Sequence, residues 1–359
     1  METMRQVFPD EIKVDERHKI APPIDRFRIA NLEHIERVWG ASAKALVVRA
    51  IQQRIIEMRH AGTQLDVACE QLCTIPVMLD DEPVHAVVVD AQTIPIVPTP
   101  VGLLPEDDLA AEVYKADMRL AASAFQAAKE GRLRLMWQPV VDVRTQRVFY
   151  HEVLLRFSGV TPTSPSRFIG ALERLGMAQM LDSLVLARVL LQLRTKHSVV
   201  LSANISAQSA FMGSWQRNLI EYLQAHPEIA SRLVLEITES TALPSLLSTK
   251  NFIAAIRSAR CRVAIDDFGA GHTSIETMLA LEPDIVKLDG QFIRHATVSQ
   301  VGFVIFSHVI GLAAASTPIV VIEGVESPDQ AALAQGAGGW LQQGYLHGRP
   351  EPIHAALIP

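Results

Sequence analysis

From Leu133 onward, short apolar or β-branched runs recur along the chain, mostly separated by stretches with helical spacing. They are Leu133–Trp137, Val148–Leu155, Val199–Ile205, Leu233–Ile237, Val263–Asp267, Ile285–Leu288, Ile319–Glu323 and a weaker one near Trp340–Gly344. Runs this short read as strands, and strands alternating with helices imply crossover connections and a mainly parallel sheet. About eight such units in a segment of this length predict a closed (β/α)8 TIM-like barrel, an α/β fold, rather than an open sheet.

Upstream the pattern is weaker. Leu32, Ile35, Val38 and Trp39 suggest one short helical face, and Leu46, Val47, Ile51 and Ile55 a longer one, with Gly40 between them. Ile75–Leu79 and Val84–Val89 read as short strands. Pro95, Pro98, Pro100 and Pro105 then crowd one segment, each removing a backbone donor and disfavouring helix just before it. Glu106, Asp107 and Asp108 open a helical pattern running to about Glu130, which Gly131 is placed to stop. The expected division is a small α/β module over 1–105, a connecting helix over 106–131 and the barrel over 132–359.

Val301 to Ile322 carries no Asp, Glu, Lys or Arg over 22 residues, long enough to span a bilayer. Ser307, His308, Gly311, Ser316, Thr317 and Pro318 interrupt it, so it divides into a helix (Val301–Ala315), a turn and a strand (Ile319–Ile322). No membrane span is expected. Met1 to Lys19 mixes acids and bases without an apolar core, which is not a secretory signal, and a soluble cytoplasmic protein is the expectation.

The 359 residues are 49% hydrophobic and 20% charged, an ordinary globular composition. The formal charge of −6, from 33 basic and 39 acidic residues, argues against broad attraction to a nucleic-acid polymer. Three cysteines, Cys69, Cys73 and Cys261, cannot all pair with one another, which suits a reducing compartment. Cys69 and Cys73 have no further Cys or His at zinc-finger spacing and read as thiols.

The chemistry lies in the polar residues of the predicted strands. Glu152 sits in His151-Glu152-Val153-Leu154-Leu155, Asn204 follows Val199 to Ala203, and Glu236 lies in Leu233 to Ile237. Asp266 and Asp267 end Val263-Ala264-Ile265, Lys287 follows Ile285-Val286, and Glu323 ends Ile319 to Ile322. Each alone has an ordinary explanation: a helix cap or surface ion pair for the acids, a turn for Asn204, a snorkelling side chain for Lys287. Together they differ. In a barrel the carboxyl ends of the strands share one face, so six successive strands deliver five carboxylates, one amide and one ammonium to one mouth. One lysine cannot balance five carboxylates, whereas divalent cations can. Oxygen ligands suit hard ions such as Mg or Mn, and the lack of Cys/His clustering argues against zinc. The vicinal pair Asp266-Asp267 is placed to serve two ions, and a two-ion site suits phosphoester hydrolysis.

These residues resemble the EAL-domain phosphodiesterases, which hydrolyse the bacterial second messenger cyclic di-GMP. The likeness covers about residues 110–352. Trp137-Gln138-Pro139-Val140-Val141-Asp142 resembles Y-Q-P-I-V-D, and Glu152-Val153-Leu154-Leu155-Arg156 resembles the name-giving E-A-L-L-R. Asn204-Ile205-Ser206 resembles N-L/V-S, and Glu236-Ile237-Thr238-Glu239 resembles E-I/L-T-E. Asp266-Asp267-Phe268-Gly269-Ala270-Gly271 resembles D-D-F-G-T/A-G, and Lys287-Leu288-Asp289 resembles K-I/L-D. Glu323-Gly324-Val325-Glu326 and Gln343-Gly344-Tyr345 complete the order.

The resemblance implies metal-dependent hydrolysis of cyclic di-GMP to linear pGpG. Glu152, Asn204, Glu236 and Asp266 would hold a first Mg or Mn ion, with Asp267 shared with or directed to a second. Lys287 would position the attacking water and offset charge, and Glu323 would act near the second ion or as base. Arg156 and Gln138 would contact the dinucleotide, Gln343 would lie near the substrate or its attacking water, and Glu239 would anchor the loop after Asp267. It also implies a homodimer. The competing expectations are a catalytically silent cyclic di-GMP receptor and a protein-docking scaffold; loss of a metal ligand would favour the receptor, and none is lost.

Val153 stands at the motif's middle Ala, pointing away from the Glu152 side chain, and His272-Thr273-Ser274 stands where Tyr/Phe-Ser-Ser is usual. The helix Val301–Ala315 is more apolar than its family counterpart. Upstream, Asp25-Arg26-Phe27-Arg28 and Asn31 faintly resemble the D-x-F-K…N segment of GGDEF cyclase domains, but residues 1–131 contain no G-G-D/E-E-F loop. A degenerate, non-catalytic GGDEF-like module is the implied reading.

Overall fold

The structure, a computed structural model, describes residues 27–60, 73–79, 82–90, 107–158, 165–211, 213–238, 243, 245–270 and 274–352. The chain divides into two compact units, Met1–Leu133 with Phe157–Ser183, and Arg134–Arg156 with Leu184–Pro359. Among the expectations, Met1–Lys19, Asp25, Arg26, Cys69, Pro95, Pro98, Pro100, Pro105, Glu106, Glu239, Gly271, His272 and Thr273 lie outside the described residues.

In the first unit, strands β1 (Phe27–Ile29), β2 (Cys73–Leu79) and β3 (Glu82–Asp90) form an antiparallel sheet in the order β1-β3-β2. Pro76 is tolerated because β2 is an edge strand. Helix α1 (Leu32–His60) is two helices joined across a kink at Gly40, whose φ of 86° departs from the helical range and is open to glycine. Asn31, fully buried, joins the start of α1 to the sheet: its amide nitrogen donates to the His85 carbonyl at 2.8 Å and its oxygen accepts from the Val87 amide at 2.8 Å. Helix α2 (Asp108–Lys129), expected as the connector over 106–131, groups with this unit. Asp107 caps it, accepting from the Ala110 amide at 2.7 Å. Helix α3 (Pro165–Arg174) belongs to the same unit, and Arg174 forks onto the buried Asp117 of α2 through two bonds of 2.7 and 2.6 Å.

The second unit contains the barrel. Strand β4 (Leu133–Asp142) turns through residues 143–146 into β5 (Arg147–Phe157). Helix α4 (Ala178–Thr195), whose first turns fall in the first unit, leads to β6 (Leu201–Ser206), then α5 (Ser214–Ala225) and β7 (Leu233–Thr238). Helix α6 (Leu246–Ser258) precedes β8 (Arg262–Phe268), and α7 (Ile275–Leu281) precedes β9 (Ile285–Leu288). Helices α8 (Gly290–Val298) and α9 (Gln300–Ser316) lead to β10 (Ile319–Ile322), and α10 (Pro328–Gly336) to β11 (Leu341–Gln343). Neighbours run in chain order from β4 to β11, and β11 pairs back onto β4, closing eight strands into one barrel. From β5 to β11 the pairings are parallel, while β4 runs antiparallel to β11. Each of the eight expected runs forms a strand.

The first run was expected to end at Trp137, before Pro139, yet β4 continues to Asp142. Trp137 pairs with Glu351 of a short strand β12 (Glu351–Pro352), and Val140 pairs with Gln343 of β11. Pro139 lies in the gap between the two partners, where its missing donor is not needed on that side. The apolar stretch near the C-terminus resolves as read, into a helix and a strand, and no helix among the described residues is long and apolar enough to cross a membrane.

Helix α9 gives a test of this packing. A Cβ on Gly302 would lie 2.2 Å from the His295 carbonyl oxygen, whereas one on Gly311 meets nothing within 4 Å. Gly302→Ala is expected to lower the unfolding free energy by about 1–3 kcal/mol, and Gly311→Ala to raise it by roughly 0.5–1 kcal/mol. Urea denaturation of the two variants checks the difference, and equal effects would contradict the α8–α9 packing.

Candidate metal centre

Strand periodicity brings a ring of polar side chains to one end of the barrel. Glu152, Asn204, Glu236, Asp266, Lys287 and Gln343 lie on β5, β6, β7, β8, β9 and β11, and Glu323 directly follows β10. At the centre is Lys287, with no exposed surface. Its Nζ lies 2.7 Å from Glu236 Oε2, 2.7 Å from Asp266 Oδ1, 2.9 Å from Glu323 Oε1 and 3.2 Å from Glu152 Oε2. Asn204 Nδ2 donates to Glu152 Oε1 at 2.8 Å, and Gln343 Nε2 donates to Glu152 Oε2 at 2.6 Å.

The vicinal acids need a special device, because successive side chains on a regular strand point to opposite faces. The β8–β9 register shifts between Ile265 and Phe268, and Asp267 adopts a left-handed φ of 53°. This bulge re-aims Asp267, so that oxygens of Asp266, Asp267 and Glu323 lie within 4.8 Å of one another. Oxygens of Glu152, Glu236 and Asp266 form a second such group, and Asp266 belongs to both. Beyond the bulge, Gly269 at φ 93° has room for no Cβ, which would lie 2.5 Å from the Phe292 ring, and its carbonyl accepts from Gln291 Nε2 at 2.7 Å.

The electrostatics follow from burial of too many acids around one cation. Burial raises the Glu323 carboxyl to about 8, against the pull of Lys287 and with repulsion from Glu152 and Asp267. Asp266 is raised well above its ordinary range by burial and by Glu323 and Glu236, and Glu236 and Asp267 are also raised by burial. Glu152 goes the other way: burial is outweighed by Lys287 and by the bonds from Asn204 and Gln343, so it stays ionised. Burial disfavours charge on Lys287, but Asp266, Glu152, Glu236 and Glu323 hold it protonated. Part of the acid charge is therefore carried as bound protons at neutral pH.

Residues 121–350 match the EAL domain family. The chain belongs to this family. The EAL domain here is 28% identical over 235 residues to the cyclic di-GMP phosphodiesterase PdeF of Escherichia coli (strain K12), covering 64% of this chain and 31% of PdeF. It is 30% identical over 246 residues to the cyclic di-GMP phosphodiesterase NbdA of Pseudomonas aeruginosa, covering 67% of this chain and 31% of NbdA. The match thus spans under a third of these curated relatives. Among solved structures it resembles an EAL domain protein from Listeria monocytogenes EGD-e, at 26% identity and a TM-score of 0.58, over 65% of this chain and 94% of that one. It also resembles the PaMucR phosphodiesterase in complex with c-di-GMP, at 26% identity and a TM-score of 0.57, over 66% of this chain and 98% of that one.

Within the EAL domain, the structure gathers Glu152, Asn204, Glu236, Asp266, Asp267, Lys287, Glu323 and Gln343. Gln343 joins the ring directly through Glu152. Gln138, on β4, donates to the Gly348 carbonyl at 3.1 Å, and Arg156, four residues after Glu152, donates to the Leu155 carbonyl at 2.7 Å. Neither contacts the carboxylates through a described bond. Glu239 lies outside the described residues. Sequence reasoning missed the bulge at Asp266-Asp267, for which the signal was the adjacency of two acids in a strand with one buried face. It also missed two buried hydroxyls, Tyr150 and Ser202, two positions before Glu152 and Asn204.

The ring can hold a divalent cation. Among the described residues, Asn204 Oδ1 and Gln343 Oε1 are buried acceptors without a hydrogen-bond partner, a donor set suited to a hard cation. A cation bound there must displace the protons held by Glu323 and its neighbours. Their pKa values are raised in the folded, metal-free protein, so these groups favour folding at low pH and lose that contribution as pH rises toward about 8. The rise in melting temperature given by saturating Mn over chelator is expected to grow between about pH 6 and about pH 8. A rise that is constant or shrinks over this window would contradict displacement of protons by the ion.

Proposed function

We propose that the barrel hydrolyses cyclic di-GMP to linear pGpG with two divalent ions, Mg or Mn. The observation that carries this reading is the pair of carboxylate groups sharing Asp266 around one buried lysine. The first group, completed by Asn204, would hold one ion, and Asp267 with Glu323 and Asp266 the other. When bound, such ions stabilise charge on a transferring phosphoryl group and favour ionisation of water.

The chain's own residues do the rest. Arg156 offers the phosphate a planar fork of donors, and Gln138, braced by Gly348, supplies an amide at the antiparallel strand. In the reaction, water's oxygen joins phosphorus, one ester bond to a ribose oxygen breaks, and that leaving oxygen takes up a proton. Glu323, at the more open side of the ring, is suited to accept water's proton. Lys287 is enclosed by four carboxylates, which supports its role in offsetting charge over a role in contacting water.

The first unit is proposed as the degenerate GGDEF-like module. Its order of short strand, kinked helix pair and β2–β3 hairpin supports that reading, as does Asn31 at the entrance to α1. On the same reading the protein is a cytoplasmic homodimer that binds no nucleic-acid polymer. Purified protein with Mg or Mn is expected to convert cyclic di-GMP to pGpG, to lose all turnover with chelator, and to fall at least about 100-fold with Glu152→Ala. Nucleotide analysis by chromatography reads the conversion. Tight binding without turnover would replace the enzyme with a receptor, and full turnover by Glu152→Ala would rule out the metal scheme.

A further inference from the structure

The two vicinal acids of the bulge are held in different ways. Asp266 is buried, with the Lys287 ammonium 2.7 Å from its Oδ1. Asp267 is exposed and stands outside the four carboxylates around Lys287. Its place therefore depends on its backbone, which lies in the left-handed region at φ 53°. A conformation that few non-glycine residues adopt persists only where neighbouring contacts fix it.

Part of that fixing is local: the Ala270 amide donates to the Asp267 carbonyl at 3.0 Å, closing a tight turn over 267–270. More comes from the first turn of α8. The Gly269 carbonyl, inside the 267–270 turn, accepts from Gln291 Nε2 at 2.7 Å, and a Cβ on Gly269 would lie 2.5 Å from the Phe292 ring. Gln291 is itself set, because its backbone amide donates to Asp289 Oδ1 at 2.7 Å, at the cap of α8. The same helix end also meets the loop of Glu323: a Cβ on Gly290 would lie 3.1 Å from the Gly324 Cα. One helix end thus seats both loops of the second carboxylate group, and on the Asp267 side the tie includes a side-chain hydrogen bond.

We propose that Gln291 is a positioning residue for the second divalent ion, its amide holding the Gly269 carbonyl and with it the turn that brings Asp267 to Asp266 and Glu323. The assignment rests on the two-ion reading above. Groups that orient a ligand change ion affinity without touching the ion. Glu152, Asn204 and Glu236 lie on β5, β6 and β7, outside this turn, so binding of the first ion is expected to be spared.

The test is Mn titration without nucleotide, followed by electron paramagnetic resonance, which separates a lone bound ion from a spin-coupled pair. Gln291→Met, which keeps the length of the side chain and removes its donor, is expected to raise the Mn concentration at which the pair forms about 10-fold. That corresponds to about 1.4 kcal/mol, the scale of one hydrogen bond. First-ion affinity is expected to stay within about twofold of wild type, and the melting temperature of the chelated protein to be unchanged, as for a surface side chain. Gln291→Ala is expected to match Gln291→Met, and Gln291→Lys, which restores a donor, to recover pair formation. Pair formation within about twofold of wild type in both Gln291→Met and Gln291→Ala, or a loss shared equally by the two ions, would overturn this assignment while leaving the metal reading intact. A wild-type protein that takes up one Mn or none overturns the two-ion reading and the assignment together. The expected loss of the pair, but no cyclic di-GMP turnover by wild type, upholds the assignment and rejects the phosphodiesterase alone.

Discussion

Four carboxylates lie around one fully buried ammonium, that of Lys287, and much of the barrel's arrangement follows from that enclosure. Removing so many charges from water costs several kcal/mol for each ion unless it is compensated. One lysine compensates in part, the Asn204 and Gln343 amides add donors, and bound protons take the remainder. Such a ring is strained electrostatically while it lacks a cation, and the strain is localised at the ends of adjacent strands. That is how a stable barrel keeps a charged mouth: the eight-residue layer beneath (Val140, Tyr150, Ser202, Val234, Ala264, Ile285, Val321 and Leu341) is almost wholly apolar, so the cost is confined to one level.

The second constraint is local. A regular strand would send Asp266 and Asp267 to opposite faces, one into the ring and one into the surrounding packing. The register shift and the left-handed Asp267 keep both acids at the mouth, and the bulge continues into the loop at Gly269. Behind it, Phe268, Leu288, Ile322 and Val325 pack in one core cluster with Phe306 and Ile310 of α9, which fixes the strand ends carrying Asp266, Lys287 and Glu323. The unusual apolar character of α9 serves that packing on one side.

The barrel was legible because its strands are continuous apolar runs punctuated by charges that belong in no core. Glu236 within Leu233–Ile237, or Lys287 after Ile285-Val286, is costly unless several such groups meet, and a barrel is the fold in which they meet. The β4–β5 turn was not legible. The apolar run stops at Trp137, and only the gap between two pairing partners explains why the strand continues through Pro139. Tyr150 and Ser202 were also silent, since an isolated Tyr or Ser in a strand carries no pattern until its depth in the barrel is known. In the first unit the break at Gly40 and the two short strands were visible, though not their pairing as a hairpin. The grouping of α2 and α3 with that unit depends on contacts distant in sequence, such as Asp117 with Arg174.

The most direct test of the carboxylate ring as a cation centre is an anomalous difference map from crystals soaked in Mn. Two peaks are predicted, one bounded by Glu152, Asn204, Glu236 and Asp266, the other by Asp266, Asp267 and Glu323. A map without density in the ring at saturating Mn would contradict it.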